Sequence, residues 1–190
     1  MHPKGFPLFL STLILASAAM AQDSTQGLYK IYSNLGKKGD CFYWREGWLV
    51  GGGQYDAMPF TPKADAKVTE IQIALFNCEF GCGTDVATVS LNRDSGGLPG
   101  NAIHAWTLHK LGTSKWHSCP MTTAKSKKGI SLKKGKQYWL VAEAPYGTTD
   151  SWAYTYNLIR GNWAYEENNG GWLPTFDYLS AFGVFGTKSK

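Results

Sequence analysis

The chain has 190 residues, of which 43% are hydrophobic, 14% aromatic and 17% charged, with a formal net charge of +5. That length suits one domain, which can bury about 70% of its unfolded surface and so fold without staples. After residue 21 no segment reaches the roughly 20 apolar residues of a membrane span, and no folded nucleic-acid motif accompanies the positive charge, so neither a membrane nor a nucleic acid is expected as a partner.

In chain order, the first element is a leader. Lys4 supplies a positive start, "FPLFLSTLILASAAMA" is apolar and small, and Ala19-Met20-Ala21 fits the A-x-A cleavage rule. Cleavage after Ala21 leaves 169 residues starting at Gln22, with a net charge of +4 once Lys4 is gone. The expected divisions are a signal peptide (1–21), a flexible mature N-terminus (22–27), a β-sandwich domain (28–186) and a short tail (187–190). The chain closes on "AFGVFGTKSK" without an apolar tail, so a freely exported protein, secreted or periplasmic, is expected.

The mature chain reads as strands. "MPFTP" at 58–62 carries two prolines and predicts an edge strand or a connection. From Thr69, Ile71, Ile73 and Leu75 share one face while Glu70, Gln72 and Ala74 share the other. In "VATVSLN", Ala87, Val89 and Leu91 alternate with Thr88, Ser90 and Asn92. "QYWLVAEA" is apolar on both faces and predicts a central strand. "SWAYTYN" and "LSAFGVFG" are rich in the aromatic residues that strands prefer. Glycine-rich turn signals such as "VGGG", "SGGLPG", "KKGK" and "NNGG" separate these runs, and no ten-residue stretch shows a helical stripe. The expected fold is all-β: a single-domain antiparallel β-sandwich, jelly-roll-like.

The loop "SLNRDSGGLPG" (90–100) invites a metal or catalytic reading. A corner explains it better. Gly96, Gly97 and Gly100 permit positive φ, Pro99 fixes its own, and Asp94 and Ser95 can bond the turn backbone. An EF-hand loop counted from Asn92 would need Glu at position twelve and finds Ile103.

Four cysteines remain: Cys41, Cys78, Cys82 and Cys119. In an oxidising compartment an even number implies two disulfides, and four cysteines allow three pairings. Cys78–Cys82 with Cys41–Cys119 is the preferred set, and the others stay open. A zinc site on Cys78, Cys82, His117 and Cys119 departs from the usual ligand spacing. No cofactor is expected; calcium stays open because backbone carbonyls also ligate it. Lys125, Lys127, Lys128, Lys133, Lys134 and Lys136 crowd one segment, where they read better as a solvated hairpin that blocks edge pairing than as a polyanion site.

Taken together, "YSNLG" (32–36), "GWLVGG" (47–52), "MPFTP" (58–62), "VSLNRDSGGLPG" (89–100), "LKKGKQYWLVAE" (132–143), "GGWLP" (170–174) and "LSAFGVFG" (179–186) resemble, in order, the choice-of-anchor domains of the R type. These are exported bacterial β-sandwich domains of unknown function. The resemblance implies a secreted, single-domain sandwich. It supplies no catalytic residues. Members carry varied C-terminal anchors, and this chain departs from that pattern by ending just after Gly186.

Chemistry is sparse. There is no G-x-S-x-G elbow, and "SLKK" (131–134) leads into a glycine and a strand rather than a helix. Glu166 and Glu167 are adjacent and point to opposite faces of a strand, so a glycan hydrolase would need one of them with a distant acid such as Asp177. His104, His109 and His117 are too widely spaced for a compact ligand set. The aromatics are the strongest signal: Trp152, Tyr154, Tyr156, Trp163 and Trp172 are the candidate ligand-binding residues. Tyr156 and Trp163 are the expected exposed members. The rival reading places these rings in the core. The expected role is therefore a secreted, non-enzymatic protein that binds carbohydrate or a cell-envelope component. The alternatives are a glycan hydrolase and a structural envelope or matrix component.

Overall fold

A computed structural model of the chain describes residues 27–36, 43–77, 83–113 and 121–189. The expected leader lies outside the described residues, as do all four cysteines and His117, and with them the disulfide pairing and the zinc alternative.

The described residues form an all-β fold of thirteen strands and no helix: β1 (Tyr29–Ser33), β2 (Tyr43–Gly51), β3 (Gln54–Phe60), β4 (Ala66–Ile73), β5 (Leu75–Asn77), β6 (Val86–Ser95), β7 (Leu98–His109), β8 (Thr122–Leu132), β9 (Tyr138–Glu143), β10 (Thr149–Tyr154), β11 (Arg160–Glu167), β12 (Leu173–Tyr178) and β13 (Phe182–Lys188). They make two antiparallel sheets. One is β1-β13-β4-β8; the other runs β5-β10-β2-β3-β9-β6-β7, with β11 pairing β3 and β12 pairing β11. Alternation dictates what lies between them. Ala87, Val89 and Leu91 from one sheet and Val68, Ile71, Ile73 and Val184 from the other are fully buried in a shared core. Each large side chain so buried stabilises the fold by about 1.5–3 kcal/mol.

The chain changes sheets at Ala74. Ile71 and Ile73 belong to β4, whereas Leu75 starts β5 in the other sheet, so the alternating run is two strands rather than one. "QYWLVAEA" supplies β9, which is central, between β3 and β6. Pro59 has an explanation in the register. β11 pairs β3 only from Gln54 to Ala57, so beyond Ala57 that edge of β3 lacks the β11 ladder and a proline can stand there. The 90–100 loop is a tight hairpin: β6 and β7 join through Gly96 (φ 66°) and Gly97 (φ 86°), as a two-residue turn requires. The expected tail is partly strand, because Thr187 and Lys188 continue β13 in register with Lys67 and Ala66. β8 is an edge strand carrying exposed Lys127 and Lys128, the arrangement that discourages edge-to-edge association.

Candidate functional site

The second sheet parts beside β2. Gly51, Gly52 and Gly53 all adopt positive φ, and β2 meets β3 only at Gly51↔Gln54. β11 takes over the edge of β3 from Gln54 to Ala57. Among the described residues no ladder joins β2 to β11, so the space between them is filled by side chains instead. The result is an open groove of about 440 Å³ lined by Gly47, Trp48, Leu49, Gln54, Tyr154, Trp163, Tyr165, Glu167 and Thr175.

Its wall is a ladder of rings. Tyr165 lies 5.8 Å from Trp163, Trp163 stacks on Trp48 at 4.5 Å, Trp48 meets Tyr154 edge-on at 5.3 Å, and Tyr154 lies 5.4 Å from Tyr178. The ladder is anchored, since the Trp48 indole N–H donates to the Tyr178 carbonyl at 2.7 Å. Separations of this size are the favoured range for aromatic pairs. The polar groups are few: Gln54, Glu167 and Thr175 among the lining residues, with Asp56 two positions along β3 from Gln54.

Asp56 is fully buried, and its Oδ1 accepts from the Gln54 amide at 3.2 Å while its Oδ2 has no partner among the described residues. Burial pushes its carboxyl up to about 8, against a small opposing pull from the Gln54 hydrogen bond. Burial also raises the Tyr154 phenol, helped by the charges of Asp177, Glu46 and Asp56. Asp177 is held by Arg160 at 3.2 Å.

The structure redistributes the expected aromatic residues. Trp152 is a core residue with no exposed surface; its indole N–H donates to the Ala181 carbonyl at 3.0 Å. Trp152 is thereby removed from the ligand-binding candidates. β10 ends at Tyr154, and Tyr156 sits in the following turn, 49% exposed and away from the groove lining. Trp163, expected to be exposed, is only 3% exposed, because it is sandwiched between Trp48 and Tyr165; it still contributes to the groove wall, and its indole N–H has no partner among the described residues. Trp172 covers a separate small cluster of Ala57, Trp139, Val141 and Ala164 on the far face of the sheet. Tyr154 alone of the five is a half-exposed groove residue. Trp48, Gln54, Asp56 and Thr175 were missed. Trp48 carried one signal, its alternation with Val50 ahead of a glycine hairpin.

A hydrolase pairing Glu166 or Glu167 with Asp177 conflicts with the register. Asp177 lies opposite Gly161, six positions before Glu167 along β11, which is about 20 Å at 3.3 Å per residue. Glycosidase carboxyls need about 5–9 Å. Glu166 acts on Glu143 instead: burial first, then the Glu166 charge, raises the Glu143 carboxyl. Among the described residues no group of three or more His, Cys, Asp or Glu side chains could hold a metal ion.

The second concavity surrounds the β6–β7 hairpin, with about 390 Å³ between Arg93, Asp94 and the segment Gly135–Tyr138. Here Asp94 is structural. It accepts from the Trp139 indole at 2.8 Å, the Gln137 amide at 2.8 Å and the Gly97 N–H at 3.1 Å.

No protein-family model matches the chain, and a search of curated proteins also finds no match. The role of the groove must therefore rest on its own chemistry.

Proposed function

We propose that the chain is an exported, non-enzymatic binding protein whose groove between β2 and β11 takes a carbohydrate. The observation that carries this reading is the ring ladder Tyr165–Trp163–Trp48–Tyr154 along an open groove. Pyranose rings present flat C–H faces that pack on indole and phenol rings, and sparse polar groups such as Gln54 and Thr175 can bond hydroxyls. The leader-like residues 1–21 and the resemblance to choice-of-anchor domains support export, where such polymers are met.

The test is a glycan array followed by calorimetry on the mature chain from Gln22, beside Trp48→Ala and Tyr156→Ala. Binding that Trp48→Ala abolishes and Tyr156→Ala preserves is the expected result. No binding by a folded wild-type chain, or binding unaffected by Trp48→Ala, would overturn the proposal.

A further inference from the structure

We infer that the groove selects a carbohydrate chain carrying free ammonium groups, an amino-sugar polymer, over uncharged chains of the same backbone. This rests on the carbohydrate reading above and adds the sign of the ligand's charge.

Three observations converge. The lining contains four aromatic rings, one carboxylate and no lysine or arginine. Indole and phenol faces attract cations through the ring quadrupole, and a nearby carboxylate adds to that attraction. Glu167 is not the only acid nearby, since the charges of Glu46 and Asp177 reach Tyr154, the latter shared with Arg160, while Asp56 is neutral below about 8. This is a local exception on a chain whose net charge is +5 and whose lysine-rich strand lies in the other sheet. Overall charge would repel a cation, so the groove itself must supply the attraction, and beyond a Debye length of about 8 Å the distant lysines are screened.

The molecule also demonstrates the interaction on itself. At one end of the ladder, the Arg160 guanidinium lies 5.4 Å over Tyr178 and 5.7 Å over Phe176 while pairing with Asp177 at 3.2 Å. Rings and a carboxylate there hold a cation between them. Glu167 repeats the carboxylate at the other end of the ladder and makes no ion pair among the described residues. An ammonium group on a sugar stacked at Trp48 or Tyr165 would supply the missing charge. A plain neutral chain would leave the Glu167 carboxylate without a role in binding.

Calorimetry in mildly acidic, low-salt buffer would compare three tetrasaccharides of like linkage: cellotetraose, fully N-acetylated chitotetraose and its fully deacetylated counterpart. The deacetylated chain should bind about tenfold more tightly than the other two. High salt and Glu167→Gln should each shrink that preference. Glu167 is exposed and pairs through its main chain, so the variant keeps its fold. Equal affinity for all three, or preference for an uncharged chain, overturns this inference while leaving the carbohydrate reading intact. Binding of none of them, with a wider glycan array also blank, overturns both.

Discussion

Trp48 and Trp163, from opposite halves of the chain, stack with ring centroids 4.5 Å apart, joining two strands that share no ladder. The pair does two things at once. It seals the gap where β2 departs from β3, and it forms the wall of the groove. Trp48→Ala should therefore cost stability as well as binding, about 2–3 kcal/mol, below the range for a fully buried tryptophan because Trp48 is half-exposed. Trp48→Phe should recover most of the stability. Urea unfolding of the two variants checks this, and equal stability of Trp48→Ala and wild type would contradict it.

Asp94 is predicted to stabilise the β6–β7 hairpin in its ionised form. Desolvation works upward on this carboxyl, but the hydrogen bonds from Trp139, Gly97 and Gln137 outweigh it and hold the group below the usual aspartate range. A lowered folded-state pKa gives stability that is present above the unfolded pKa and lost as pH falls through the folded value. Asp94→Ala should cost about 1 kcal/mol at neutral pH, discounted for its exposure, and the gap to wild type should close in acid. Urea midpoints at neutral and acid pH measure it. A gap that persists in acid would point to lost packing instead.

The same residues show which features a sequence discloses. Ala87, Val89 and Leu91 announce a strand because alternation is local, and Gly96-Gly97 announces a turn because positive φ is a property of the residue itself. The direction of Trp152 is not local. Both faces of "SWAY" are apolar and both Trp152 and Ala153 are fully buried, and only the opposing sheet, through Phe182, decides that Trp152 is the one that enters the main core. The Trp48–Trp163 stack depends on a strand departing from its neighbour, which no spacing encodes. Asp56, inside "QYDAMPF", would ordinarily be assigned to solvent, since a buried unpaired carboxylate is costly.

Gly186 is predicted to be intolerant of any side chain. It follows a register shift in β13, and a Cβ there would overlap the Lys67 carbonyl and lie 3.0 Å from the Thr69 nitrogen, both backbone atoms of β4. Backbone at the centre of a sheet cannot yield cheaply, so Gly186→Ala should cost at least about 3 kcal/mol. Gly183→Ala is the control, because the atoms nearest a Cβ at 183 belong to the side chains of Phe185 and Leu35, which can rotate away, rather than to backbone. Thermal or urea unfolding of both variants should place Gly186→Ala well below Gly183→Ala, and a reversed order would refute the packing argument.

The last prediction concerns Asp56. Its folded-state pKa is raised to about 8 from the ordinary 3.8, so the native state keeps a proton that the unfolded chain gives up in weak acid. Stability is then full below the unfolded pKa and declines as pH rises toward the folded one, by up to about 1.4 kcal/mol per pH unit. Asp150, raised by burial to about 6 despite the Asn77 hydrogen bond, contributes with the same sign but only in the lower part of that window. The interval between about 6 and about 8 is therefore where Asp56 dominates this pair. Asp56→Asn keeps the shape and the Gln54 contact while removing the titration. Urea unfolding across a pH series should show the wild-type slope flatten in the variant between those two values and persist below them. Parallel curves over the whole range would mean that Asp56 ionises without cost, and that its carboxyl is better solvated than its burial between Gln54 and Met58 implies.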